Sequence, residues 1–331
     1  MHLFSAARGI AFTAALLAVA AAPASAQNAS PAPAQSLQKV RIGTLKMSAL
    51  TDVWVAKQAG IFARNGLDAE LVEFRSGNEA IAAQRGGHVD IVLSIPGTAM
   101  TANERGFDLV LIAQNETAHA APPDAGALIV RKDSGLNSVA DLAGKTFALS
   151  NTHSQLQVAV EEVLKKHGVN PAGVTFMEIP FSSHPGALKS GQIDVSIAID
   201  PWTTQLRTSD YAKVLAWDYV ESLPGQPIGA WYARSDFIRG KRDVVDRFAR
   251  SIRDAIQYMN ADAERAKENV AAYTGLNIAF LKDMPLNRWS YEIDPVTWQG
   301  VADMMHASGE LQKPHKVSEY LSDIVAPYVV K

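Results

Sequence analysis

Two stretches roughly a hundred residues apart read as one phrase written twice: "GGHVDIVLSIPGT" at 86–98 and "SGQIDVSIAIDPWT" at 190–203. Each runs Gly, polar residue, β-branched residue, Asp, then an apolar run that ends in Pro and Thr. A repeat on this scale marks two copies of one structural unit. The flanking order repeats too. "KVRIGTL", "LDAELVEF", "VDIVLSI" and "FDLVLIAQN" read as strands, separated by "DVWVAKQAGIFARNG", "SGNEAIAAQRGG" and "PGTAMTANERG", which read as helices. From Lys145 the series recurs. "KTFALS", "GVTFMEI", "IDVSIAI" and "AKVLAWD" are the strands, and "HSQLQVAVEEVLKKHG", "SSHPGALKSG" and "DPWTTQLRTS" the helices. Alternation of this kind predicts parallel sheets covered on both faces by helices. From Ile228 to Lys331 the chain reads as mostly helical, with one helix over 242–261 and another opened by Asp294 and Pro295. These C-terminal helices are expected to pack on the first unit.

The expected fold class is therefore α/β: two α/β lobes around a hinged cleft. The crossings fall near 115–128 and 223–231. Lobe 1 takes 39–118 and 228–331, and lobe 2 takes 119–227. The chain start reads as a cleavable signal peptide over 1–26, with Arg8, an apolar run over 10–22 and an Ala-x-Ala ending at Ala26. Residues 27–38 read as a disordered, Pro-containing lead-in. That context makes the absence of Cys decisive, since it excludes disulfides, lipid attachment and thiol chemistry. Stability must come from the core of a mature chain of about 305 residues. A formal charge of −3 with both signs interspersed excludes a basic nucleic-acid surface. No metal-ligand spacing, no Gly-x-Ser-x-Gly and no phosphate-binding Gly loop is present, so neither cofactor nor metal is expected.

Ligands of open α/β sheets lie outside the carboxyl ends of the strands. Helix N-termini there offer unpaired N–H groups. The candidate turns hold Lys46, Met47 and Ser48; Ser76, Gly77 and Asn78; Ser94, Pro96 and Thr98; Thr152 and His153; Ser182 and His184; and Asp200 with Trp202. Asn115 and Glu116 lie where the first crossing begins, and Trp231 lies near the second. Ser, Thr and Asn at such places also serve as plain helix caps. The Trp residues could equally be core, and His153 and His184 could be simple caps. Asp200 would repel an anion and suit an amine or a ring N–H. Asp90 and Asp194, matched by the repeat, are expected to be structural.

The stretches "AKQAGIFARNGLDAELVEFRSGNEAIAAQRGGHVDIVLS" at 56–94, "GALIVRKDSGLNSVADLAGKTFALS" at 126–150 and "GALKSGQIDVSIAIDPW" at 186–202 resemble periplasmic solute-binding proteins of ABC importers. The resemblance is to the nitrate, sulfonate, taurine and thiamine-precursor group. It implies a type II binding-protein fold, closure on a small molecule and delivery to an inner-membrane permease, by a monomer without catalysis. A sulfonate-, taurine- or nitrate-like anion is the leading ligand, and a pyrimidine-type thiamine precursor or aromatic compound is the alternative. A sensory binding module and an exported enzyme are the other readings. One branch of the group is enzymatic, carries a Cys-rich motif and consumes its own His; a chain without Cys departs from it.

Overall fold

The computed structural model describes residues 36–330. The signal peptide and all but the last residues of the lead-in expected over 1–38 lie outside the described residues. Gln38, read as the end of that lead-in, instead opens the first strand.

Among these residues, ten strands form two five-stranded sheets. They are β1 (Gln38–Thr44), β2 (Leu67–Glu73), β3 (Ile91–Ser94), β4 (Leu109–Thr117), β5 (Gly126–Arg131), β6 (Thr146–Leu149), β7 (Thr175–Glu178), β8 (Val195–Ile199), β9 (Ala212–Ala216) and β10 (Pro227–Arg234). The first sheet has the order β2-β1-β3-β10-β4, and the second β7-β6-β8-β5-β9. The two orders match position by position, as the sequence repeat predicts.

The sheets are mixed, which corrects the all-parallel expectation. β10 runs antiparallel to β3 and β4, and β5 runs antiparallel to β8 and β9. Neither strand is legible as one in sequence: β5 starts within the expected first crossing, and β10 falls in the second crossing and the start of the helical remainder. Each is the first strand after the chain changes sheet. A chain that leaves one sheet at its carboxyl ends enters the other from that same side, so its first strand must run back against the rest.

The expected helix over 52–66 is two, Thr51–Gln58 and Ile61–Arg64, broken at Gly60 with φ +68°. Glycine alone takes that left-handed angle without a Cβ clash. Helix Arg242–Asn260 buries Val244, Val245, Phe248, Ala249, Ile252, Ala255, Ile256 and Met259 at three- and four-residue spacing. It packs on the two helices that follow β1. Helix Pro295–Ala307 starts at Asp294, whose carboxylate accepts from Val296 N–H at 2.9 Å. It packs against both helix Pro96–Glu104 and helix Gln155–Lys166, so one C-terminal helix touches both units.

The repeated Asp does the same work twice. Asp90 accepts the Arg41 backbone N–H at 2.8 Å and pairs with its guanidinium at 2.7 Å. Asp194 accepts the Thr146 N–H at 2.9 Å. In each unit the Asp ties the strand it introduces to a parallel neighbour, at the end away from the crossings.

Candidate functional site

The carboxyl ends of both sheets lead to the segments that join them. There the structure gathers buried acidic side chains. Asp52 lies in the first turn of helix Thr51–Gln58 and is fully buried. Asn115, on β4, donates to its Oδ2 at 2.9 Å and to Ala49 O at 3.3 Å. Next along β4, Glu116 is 4 % exposed and accepts from Asn287 Nδ2 at 2.6 Å. A Cβ on Gly229 would stand 2.7 Å from Asn115 Oδ1, so glycine is what lets β10 pass so close. Asp124, in the crossing, accepts from the His119 and Ala125 N–H groups through Oδ1. Asp200 follows β8 and accepts from Thr204 N–H at 2.9 Å. Asp218 follows β9, fully buried, with Oδ1 accepting from Tyr219 N–H at 2.7 Å.

These carboxyls shape one another's ionisation. Burial pushes Glu116 up to about 8, helped by the like charges of Asp124, Asp52 and Asp200 and opposed by the Asn287 hydrogen bond. Burial likewise pushes Asp52 up to about 7, against the hydrogen bond from Asn115 and the Trp231 N–H close by. Asp200 is raised to about 7 by burial, with Thr204 and Arg207 opposing. Asp124 is raised and Asp218 raised well above the usual range, both by burial first. Asp52 and Glu116 come from the carboxyl side of the first sheet, Asp200 and Asp218 from that of the second, and Asp124 from the crossing between them.

A strap closes one side. Residues 288–290 run antiparallel beside the end of β4, with Ser290 N–H donating to Asn115 O and Thr117 N–H to Arg288 O. Trp289 Nε1 donates to Ala49 O at 3.0 Å, and Arg207 of the second unit donates to Asp283 O. A cavity of about 520 Å³ is lined by the strap residues Arg288, Trp289 and Ser290 together with His119, Asn260 and Asn287. None of the five carboxyls lines it, although Asn287 on its wall bonds Glu116.

The residues expected from sequence scatter more than the acids do. Asp200 and Asn115 belong to the set just described. Trp202 is half-buried at the next turn and stacks on Phe181 with ring centroids 5.6 Å apart. Ser48 is buried in the turn before Asp52, Met47 is half-buried, and Lys46 points outward over the Tyr273 ring. Ser76 caps its helix by accepting from Glu79 N–H, beside half-buried Gly77 and exposed Asn78. Pro96 opens a helix whose first free N–H, on Gly97, is taken by Gln155 Oε1 of the other unit at 2.9 Å. At that turn Ser94 is buried and Thr98 half-buried. Thr152 binds Glu178, and exposed His153, at φ +54°, reaches Glu310 at 2.9 Å. Ser182 is exposed.

His184 and Trp231 are core instead. Nδ1 of His184 meets Ser196 Oγ at 2.8 Å and Nε2 meets Ile179 O at 3.3 Å, with no exposure. Burial lowers its pKa to about 4. Its ring resonances should therefore titrate near pH 4 and not near 6.5 in an NMR pH series; an ordinary midpoint would place the ring in solvent. Trp231 is fully buried edge-on against Phe248. Missed in sequence were Asp52, Asp124 and Asp218, each readable locally as an ordinary polar turn residue. Their common signal is an acid within a few residues of a strand end, next to a crossing.

A family model described as NMT1/THI5 like matches residues 48–266. The chain belongs to the NMT1/THI5-like family. Members and neighbours differ in what they are named for. The taurine-binding periplasmic protein of Escherichia coli is 26 % identical over 258 residues, 75 % of this chain and 76 % of that one. The 4-amino-5-hydroxymethyl-2-methylpyrimidine phosphate synthase of Schizosaccharomyces pombe is 25 % identical over 223 residues, 63 % of this chain and 62 % of the synthase. The alkanesulfonate-binding protein SsuA of Xanthomonas axonopodis pv. citri, solved with MOPS bound, superposes with a TM-score of 0.70 at 23 % identity, over 91 % of this chain and 99 % of that one. This NMT1/THI5-like chain thus has the periplasmic binding protein fold. Among the described residues, no helix is long and apolar enough to cross a membrane, and no group of three or more His, Asp or Glu is placed to hold a metal ion.

Proposed function

We propose that this chain is the solute-binding component of an ABC-type importer, exported to the periplasm. Lobe 1, residues 39–118 and 228–331, and lobe 2, residues 119–227, close as a monomer on a small organic solute, which an inner-membrane permease then receives. Hinge closure of two domains around a ligand is the standard motion of such folds. The observation that carries the reading is the buried polar set at the carboxyl ends of two facing sheets, drawn from both lobes and their crossing. The relatives named for taurine and alkanesulfonates support it.

The synthase relatives raise catalysis as a second reading. The one His–Ser contact described above, His184 with Ser196, is wholly enclosed, and Ser196 has no exposure to meet a substrate. His153 sits at the surface, paired with the Glu310 carboxylate. These arrangements favour binding without chemistry. For the solute, the relatives' names divide between sulfonate, taurine or nitrate and a 4-aminopyrimidine.

Native mass spectrometry of the purified protein, followed by thermal-shift assays against those compounds, tests the function. A ligand at 100 times its Kd should stabilise the fold by about 2.7 kcal/mol. Deleting the gene should abolish uptake of the same compound. If no compound shifts melting and nothing co-purifies, the binding reading fails; binding with unchanged uptake would point to a sensor.

A further inference from the structure

With the lobes taken as above, they meet unevenly. On one face they share a core. Val158, in helix Gln155–Lys166 of lobe 2, is buried in the apolar cluster that holds Met100, Trp298, Val301 and Met305 of lobe 1, and Leu223 of lobe 2 packs against the same cluster. The approach is close. A Cβ on Gly97 would stand 2.9 Å from Met305 Sδ and 3.0 Å from Gln155 Cβ, and one on Gly300 would stand 2.8 Å from Leu223 Cδ2. Buried hydrogen bonds run through the same contact. Gln155 Oε1 accepts from Gly97 N–H at 2.9 Å, and its Nε2 donates to Gln226 Oε1 at 3.0 Å and to Pro227 O, at the start of β10, at 2.8 Å. Gln155 thereby ties a helix start of lobe 1 to the second crossing where it enters the first sheet. The opposite face differs. The cluster that holds Phe248 contains residues of lobe 1 alone, and the one that holds Leu206 contains residues of lobe 2 alone. Among the described residues, the hydrogen bond from a lobe 2 helix to lobe 1 on that face is the surface bond from Arg207 to Asp283 O.

We propose that the Gln155–Gly97 contact is the fixed pivot of lobe motion, and that the cleft opens on the strap side, where Arg207 leaves Asp283. This rests on the lobe closure stated above and names its axis. Parting the lobes at the shared core would bare Val158, Leu223 and Met305 to water, at a cost proportional to the apolar area exposed. It would also break the two buried bonds that hold Gln155 to Gly97 and Pro227 together. Parting them on the strap side removes one exposed bond, which water replaces on both partners. It also brings water to Arg207 Nε, a buried donor without a partner in this arrangement. Hinge motions place their backbone change in a few loop residues. The second crossing is held at the pivot by Gln155, so the first crossing, over 118–125, absorbs the larger change.

The test is pulsed electron spin resonance on the full exported chain, dialysed and shown free of solute by native mass spectrometry. The chain has no Cys, so two introduced cysteines are the only sites for nitroxide labels. Lys165→Cys with Ala307→Cys spans the pivot, and Gln205→Cys with Lys282→Cys spans the strap side; all four positions are exposed. The strap-side pair should give a distance distribution about twofold or more broader than the pivot pair. Adding Gln155→Ala should broaden the pivot pair, and adding Arg207→Ala the strap-side pair alone, while thermal melts show both variants folded. Should Gln155→Ala unfold the chain, the two pairs in the otherwise unsubstituted protein decide. A pivot pair as broad as the strap-side pair, or one left narrow by Gln155→Ala in a folded chain, overturns the pivot and leaves solute binding standing. Two narrow distributions would mean that the lobes do not part, which overturns the pivot and the closure it rests on. If the distances behave as expected but no compound binds, the solute-binding reading falls and the pivot stands.

Discussion

The ligand-free protein should become less stable as the pH rises from 6 to 8, the reverse of the usual effect of ionising carboxylates. Below pH 4 Asp52, Glu116 and Asp200 are protonated whether folded or unfolded. Above that, the unfolded chain ionises them near their ordinary values, while the fold holds them protonated to about 7, 8 and 7. The folded state then binds more protons than the unfolded state, so stability is complete below the unfolded pKa and is lost as pH rises through the folded one. Each group costs about 1.4 kcal/mol per pH unit up to its folded value, and the three together roughly 5 kcal/mol between pH 6 and 8. His184 works in the opposite direction, but only between its folded value of about 4 and its ordinary 6.5, mostly below this window. Urea unfolding at pH 6, 7 and 8 reads the slope directly. Glu116→Gln should flatten its share and stabilise the protein at pH 8. A flat or rising profile for the parent would mean that the fold compensates the ionised carboxylates internally.

Trp231→Ala should destabilise the protein by about 3–5 kcal/mol, the range for deleting a fully buried aromatic side chain. The indole fills the core between β10 and helix Arg242–Asn260, with its ring centroid 5.4 Å from that of Phe248 at 77°. Little can collapse into the gap, because the helix is also pinned by Phe62 stacked on Phe248. Trp231→Phe keeps most of the volume and loses the Nε1 donor beside Asp52, so its cost should be nearer 1–2 kcal/mol. Urea midpoints measure both. A Trp231→Ala variant that kept its stability but lost ligand affinity would return this residue to the cleft wall.

Trp231 and His184 show where local reading stops. Both stand at turns or crossings where a ligand contact is a sensible expectation, and both are buried by elements distant in sequence. Trp231 is covered by Phe248 and Asp52, and His184 is capped by Ser196 from β8. Nothing within a few residues of either carries that information. The acidic set was missed for the complementary reason. Asp52, Asp124 and Asp218 each look like a polar residue near a helix or strand start, and Asp52 meets Asn115 across 63 positions of chain. Asp200 and Asn115 were legible because each lies at a strand end that the repeat or the crossing already marked.

Strand–helix alternation, the doubled unit, the caps at Ser76 and Asp294, and the structural Asp90 and Asp194 followed from sequence alone. They depend on periodicity and on bonds within a few residues or between copies of one motif, which a linear pattern records. Tertiary structure decided the antiparallel insertion of β5 and β10, because strand direction depends on which side the chain enters a sheet. It also decided which turn residues share one buried space. Five carboxyls are unremarkable when spread along a chain; only their burial together raises their pKa values.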